Sequence, residues 1–290
     1  MSRKSKELLT KTYLYIICFL LCICVGYITY YEYFIPKSPY ILSKTNNNLW
    51  IAGIRNDRVS EEIGINSFWE KDITDFFVQN VKPSETVIEI GANIGYYTTL
   101  LSKLVGKNGH IFSYEANDEV YRMAKLSLEF NRLEENVMLK NVAVSDHNGS
   151  VDFVSDSISG LKFSTINIGE GHIKRGLDFS ATKKVQCVSL DNDLPELKDV
   201  DWLRMDIEGA EVLVLRGARK IIENSPNLKI VMEWNVSAME KYGDVVQLID
   251  QMHSYGFKFF KIPVGNKPMQ QVTKEELLHS SDLRNVFLTR

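Results

Sequence analysis

Twelve residues, Val87-Ile88-Glu89-Ile90-Gly91-Ala92-Asn93-Ile94-Gly95-Tyr96-Tyr97-Thr98, restrict the fold of this chain more than any other stretch. Val87, Ile88 and Ile90 make the β-branched run of a strand covered on both faces, as a parallel sheet requires. Gly91 and Gly95 then permit a sharp turn and a close backbone approach to a ligand before a helix begins. Glu89 stands just before the turn, where the strand end is expected to present it to a cofactor rather than to the core. Several readings compete for such a turn. A dinucleotide site wants G-x-G-x-x-G around a pyrophosphate, which an acid at this place would repel. The phosphate loop G-x-x-x-x-G-K-[ST] occurs nowhere in the chain. A methionine-derived cofactor with a cationic sulfonium suits the acid, and a turn whose glycines serve only packing stays open at this point.

The order downstream narrows the choice. His110 to Tyr114 reads as a short apolar strand followed by Glu115, 26 positions after Glu89. At the end of a second parallel strand an acid can accept both hydroxyls of a ribose. Val120, Met123, Ala124, Ser127 and Leu128 then follow helical spacing, and another strand runs through Val137 to Val144. Alternating strands and helices predict right-handed parallel crossovers. Further on, Trp202-Leu203-Arg204-Met205-Asp206 leads into Ile207-Glu208-Gly209-Ala210-Glu211 and a helix. Asp206 falls beyond a strand's carboxyl end, where open α/β sheets bind ligands. Crowding of Asp206, Glu208 and Glu211 raises at least one proton affinity, which suits a general base acting on an alcohol. The next strand ends at Glu233, so the candidate catalytic acids are Asp206, Glu208 and Glu233. Asp206, Glu233 and Asn235 offer oxygens to Mg²⁺, but such groupings at strand ends arise readily without metal, and no resident metal is expected. His110, His147, His172, His253 and His279 lack zinc spacing. The polar stretch 145–184 is expected to form an acceptor-facing lid, with His172 an alternative base.

The blocks E-I-G-A-N-I-G-Y-Y-T, Y-E-A-N, N-V-A-V-S-D, V-S-L-D and D-W-L-R-M-D-I-E-G-A-E-V-L-V-L-R-G-A resemble the FkbM-type family of S-adenosylmethionine-dependent methyltransferases over about residues 86–260. The resemblance implies a class I methyltransferase, Rossmann-like α/β fold. Its sheet would be seven-stranded and mostly parallel, with helices on both faces and one antiparallel strand near its end. It also implies S-adenosyl-L-methionine as cofactor and methyl transfer to oxygen, with a sugar hydroxyl or other small polar group as the expected acceptor. Cofactor-binding residues fall at Glu89, Gly91, Asn93, Gly95, Glu115, Ala116, Asp146 and Asp206. The family's acidic block after the second strand is usually followed by proline, whereas this chain reads Glu115-Ala116-Asn117-Asp118. The alternatives are a catalytically degenerate binding module and transfer to a protein or lipid nitrogen. A degenerate copy should lose Glu89, Gly91 or Glu115, and all three are present.

Residues 12–31 are 20 positions without a charge. As a helix rising ~1.5 Å per residue they would extend about 30 Å, the thickness of a bilayer's hydrocarbon core. Tyr13, Tyr15, Tyr27, Tyr30 and Tyr31 cluster towards the two ends, as interfacial aromatics do. The expected organisation is a basic tail over 1–11, a transmembrane signal-anchor helix over 12–34, a stem and domain entry over 35–66, and a methyltransferase domain over 67–290 with its core at 86–260. Basic residues ahead of the span favour a single-pass protein with a cytoplasmic N-terminus. Arg3, Lys4, Lys6 and Lys11 stand against Glu7, so a net charge of −3 leaves −6 beyond residue 31. The expected partners are therefore a small-molecule or glycan acceptor and the membrane, and not nucleic acid. Cys18, Cys22 and Cys24 lie in the span, leaving Cys187 with no disulfide partner in the domain. Phe68, Trp69, Ile73, Phe76 and Phe77 predict a helix over 67–80 that packs on the sheet and helps cover the cofactor.

Overall fold

The computed structural model describes residues 13–26, 38–155, 164–167, 182–265 and 267–290. The chain divides into two compact units, Met1–Pro39 and Tyr40–Arg290. In the first, α1 covers residues 13–26. No helix among the described residues is long and apolar enough to cross a membrane. The transmembrane anchor and the single-pass membrane localisation are corrected accordingly; residue 12, residues 27–34 and the basic tail 1–11 lie outside the described residues.

The segment expected as a stem is built differently. Within it, β1 (Tyr40–Lys44) and β2 (Trp50–Ile54) form an antiparallel hairpin, followed by α2 (Arg58–Asn66) and α3 (Lys71–Asn80). Asn46-Asn47-Asn48 make the hairpin turn, with Asn48 at φ 55. The hairpin docks on the rest of the unit through Ser127 and Asn131: Ala52 N donates to Ser127 Oγ at 2.9 Å, Ser127 Oγ donates to Ile94 O at 3.0 Å, Trp50 N donates to Asn131 Oδ1 at 2.9 Å, and Asn131 Nδ2 donates to Trp50 O at 2.6 Å.

There follow β3 (Thr86–Ile90), α4 (Tyr96–Val105), β4 (His110–Tyr114), α5 (Asp118–Asn131) and β5 (Val137–Lys140). Next come β6 (Ala143–Val144), β7 (Gly149–Ser155), β8 (Ser164–Asn167), β9 (Thr182–Val188) and α6 (Leu190–Asp193). The chain continues through β10 (Trp202–Met205), α7 (Glu211–Gly217), α8 (Arg219–Glu223), β11 (Lys229–Glu233), α9 (Val236–Met239) and α10 (Val245–Ser254). It ends with β12 (Lys258–Lys261), β13 (Gln270–Gln271), α11 (Lys274–His279) and β14 (Asn285–Thr289).

The main sheet has the order β13-β12-β14-β11-β10-β3-β4-β5. β11, β10, β3, β4 and β5 pair in parallel, and β14 inserts antiparallel between β11 and β12. This is the class I methyltransferase arrangement. It has eight strands rather than the expected seven, because Gln270 and Gln271 add an edge strand to β12. Alternate side chains of β3 serve different cores: Ile88 and Ile90 join one hydrophobic cluster, while Val87 joins another with Trp202, Phe76 and Phe77. Burying each such side chain contributes about 1.5–3 kcal/mol. The stretch expected as a lid holds β7, β8 and β9, which with β6 make a separate sheet of order β6-β9-β7-β8. Residues 156–163 and 168–181, His172 among them, lie outside the described residues. From β3 the chain builds outward through β4 and β5, then re-enters beside β3 on the other side as β10, a switch point of the kind where open α/β sheets bind ligands.

Candidate active site

A cavity of about 910 Å³ opens beyond the carboxyl ends of β3, β4, β10 and β11. Its floor is the turn from β3 into α4. Gly91 has φ +83, and a Cβ there would meet the backbone oxygen of Asp206 at 2.3 Å, so only glycine fits between β3 and β10. Asn93 continues the turn at φ 51 and accepts the Ile94 N–H on Oδ1 at 2.8 Å. Gly91 and Asn93 line the cavity, whereas Gly95 does not. Gly95 serves packing: a Cβ there would strike Cα of Ala124 on α5 at 2.7 Å.

Glu89 is buried completely beneath the floor and does not line the cavity, which corrects its expected presentation to a cofactor. The cause is cross-strand register. Glu89 sits opposite Ser113 on β4 and Arg204 on β10. Its Oε2 accepts from Thr98 Oγ1 at 2.6 Å and Ser113 Oγ at 2.8 Å. Its Oε1 lies 3.6 Å from Arg204 Nη1 and has no hydrogen-bond partner among the described residues. Burial raises the proton affinity of Glu89, and the Arg204 charge opposes that.

Arg204, passed over in the sequence, is the centre of this arrangement. It is 5% exposed, donates to Gly91 O at 3.0 Å and to Asp206 Oδ2 at 2.8 Å, and lies 4.5 Å from the centroid of the Tyr97 ring. One cation thus ties the glycine turn to the strand-end acid. A lone arginine inside the apolar β10 was the available signal.

Glu115 reaches the cavity wall from the end of β4. Its Oε2 accepts the Asn93 N–H at 2.7 Å and its Oε1 the Asn117 N–H at 2.8 Å, and burial pushes it up to about 7. Ala116 lines the cavity beside Val142, Ala143 and Val144. Asp146 does not line it. Its Oδ1 is 2.8 Å from His147 Nδ1, because the chain has already turned into the small sheet at β6.

Asp206, Glu208 and Glu233 line the far end and bring one carboxylate oxygen each to within 4.8 Å of the others. Asn235, the third oxygen expected for Mg²⁺, lines the cavity but caps α9 with its side chain, and Glu208 takes its place in the group. Burial, then the charges of Glu208 and Asp206, push Glu233 up to about 9. Its Oε2 is buried with no hydrogen-bond partner among the described residues. Glu211 is 1% exposed, lies off the cavity, and accepts the Ile207 N–H at 2.9 Å.

Burial pushes Glu211 from 4.5 up to about 7. The native state therefore holds its proton more tightly than the unfolded chain does. The associated stability is full below pH 4.5 and is lost as pH rises through about 7. Glu211→Gln is expected to flatten the fall in melting temperature between pH 5 and 8, removing a penalty on the order of 3 kcal/mol at the alkaline end. Thermal melts across that range check it, and an unchanged slope would refute it.

Two further cavity residues were not singled out as site candidates from the sequence. Trp69 and Glu70, just ahead of α3, line the wall, and Glu70 Oε2 accepts from Tyr97 Oη at 3.2 Å. Burial, then the Asp206 charge, push Glu70 up to about 7.

The family profile described as Methyltransferase FkbM domain matches residues 89–259. The tRNA (adenine(58)-N(1))-methyltransferase catalytic subunit TRM61 of Yarrowia lipolytica is 28% identical over 150 residues, 49% of this chain, which spans only 38% of that protein. The ubiquinone/menaquinone biosynthesis C-methyltransferase UbiE of Klebsiella pneumoniae is 20% identical over 80% of each chain. Among solved structures, the SAM-dependent O-methyltransferase of Thermotoga maritima superposes with a TM-score of 0.41 at 17% identity, covering 88% of this chain and 78% of that one.

Proposed function

The chain belongs to the FkbM methyltransferase family, whose methyl donor is S-adenosylmethionine, and from that we propose a finer reading: methyl transfer to a hydroxyl of a sugar or other small polar acceptor, with Glu233 as the base. Bound S-adenosylmethionine supplies an electrophilic methyl group on a cationic sulfonium. The residues present suit it. The Gly91 turn packs closely against Asp206 at the cavity floor, and Asn93 and Glu115 stand beside it on the cavity wall. Ala116 with Val142, Ala143 and Val144 offers an apolar wall to a flat base. Asp206 and Glu233 favour a positive charge nearby.

The observation that carries the hydroxyl reading is the buried, unpartnered Oε2 of Glu233 at the cavity's acidic end. A hydroxyl acceptor must give up its proton, and a carboxylate oxygen with no other donor suits that task. Asp206 is committed to Arg204 at 2.8 Å. The high proton affinity of Glu233 makes it a ready proton acceptor once ionised, and a cation in the cavity favours the ionised form. The proton passes from the acceptor oxygen to the Glu233 carboxylate and from there to solvent.

Glu115→Ala is expected to weaken S-adenosylmethionine binding at least tenfold, and more than Asp206→Ala does. Calorimetric titration of the full chain tests this, and equal affinities would remove Glu115 from cofactor binding. The same proteins, given methyl-labelled donor and an extract of glycans and small metabolites, test transfer. Tight donor binding with no label transferred would favour the binding-module alternative.

A further inference from the structure

We propose that Glu70 positions the acceptor, taking hydrogen bonds from its O–H or N–H groups and selecting uncharged or cationic acceptors over phosphorylated ones; this rests on the methyl-transfer reading above. The cofactor side of the cavity is made by Gly91, Asn93, Glu115 and Ala116, all within the residues that match the family. Arg58, Glu62, Trp69 and Glu70 line the same cavity from outside that match. The electrostatic neighbours of Glu70 are Asp206, Arg204, Tyr97 and Glu62, and Glu233 in turn senses Glu70. Glu70 lines the same cavity as Asp206 and Glu233, and Tyr97 and Arg204 link it to Asp206.

Its backbone agrees with a task in the cavity. Glu70 is the N-cap of α3 with φ 39 and ψ 70, a left-handed conformation costing a non-glycine residue about 1–3 kcal/mol. Glu70 makes no side-chain cap bond to the helix that would offset this cost. Its carboxylate turns to Tyr97 Oη instead, at 3.2 Å. The Tyr97 ring lies over the Arg204 guanidinium, which holds Asp206, so Glu70 is oriented through the network that fixes the strand-end acid. Trp69 beside it lines the same cavity, with the Arg58 guanidinium 6.0 Å from its ring centroid. Asp57 is not equivalent, because its Oδ2 is taken by Ser60 N and Ser60 Oγ at 2.9 and 2.7 Å. A carboxylate at this place accepts from neutral and cationic donors and repels an anion.

The test uses the full chain as wild type, E70Q and E70A, each saturated with S-adenosylhomocysteine. The probes are methyl β-D-glucopyranoside, dense in hydroxyl donors, and glucose 6-phosphate, with binding read by saturation-transfer NMR. S-adenosylhomocysteine affinity, read by calorimetry, is expected to stay within twofold across the three proteins. The glucoside is expected to bind wild type, to weaken at least tenfold in E70A and less in E70Q, which keeps an accepting oxygen. Glucose 6-phosphate is expected to bind only once the charge is gone. A merely structural glutamate would shift melting temperature and cofactor affinity without changing the preference between probes. The proposal is overturned if E70Q and wild type bind both probes alike, if wild type prefers the phosphate, or if wild type binds neither. Loss of S-adenosylhomocysteine binding in all three proteins, with the probe contrast intact, would instead sink the methyl-transfer reading and leave Glu70 in its role.

Discussion

Arg204→Met is expected to lower the unfolding free energy by about 3–5 kcal/mol, because it removes one partner of a buried charge pair. Glu89 is wholly buried, and its Oε1 has only the Arg204 guanidinium beside it. Without the cation the carboxylate must stay unpaired in the core or take up a proton. The deficit should therefore shrink as pH falls towards the ordinary carboxylate range, where Glu89 is neutralised. Adding Glu89→Gln to Arg204→Met should restore part of the loss at neutral pH. Urea denaturation of the single and double variants at pH 5 and 8 measures this. A single-variant loss under about 1 kcal/mol would mean the pair is not the electrostatic keystone described here.

Glu233→Gln should leave donor binding within a few-fold of wild type while cutting transfer by about 10²–10⁴-fold, the range for losing a general base. In the wild type, transfer should climb with pH as a carboxylate pushed up to about 9 ionises, and the glutamine variant should lack that limb. Label transfer from methyl-labelled donor, run beside calorimetry of donor binding, separates chemistry from affinity. Retained turnover would move the base to Glu208 or Asp206.

The sheet could be read from the sequence because its central strands are apolar on both faces, so their runs need no partner to be recognised. The helix Asp118–Asn131 buries Val120, Met123, Ala124, Ser127 and Leu128, the residues its spacing predicts. The small sheet was hidden for the opposite reason. β7 and β9 expose Asp152, Lys183 and Lys184 while burying Phe153, Val185 and Cys187, and a half-wet strand rich in Ser, Gly and charge resembles a loop. The side to which Glu89 turns depends on Ser113 and Arg204 in neighbouring strands, and no single strand carries that information. Nor does local periodicity say that Glu70 breaks from its helix to face a cavity.

The docking of the hairpin on Ser127 and Asn131 has a consequence for how the protein is made. β2 leaves the ribosome with Ile51, Ala52 and Ile54 bare, while its anchor Ser127 lies 75 residues behind Ala52. At about 5–20 residues per second the hairpin waits roughly 4–15 s before its dock exists. The earliest part of the second unit to be synthesised thus stays undocked until Ser127 has been made, and the nascent chain needs shielding during that interval.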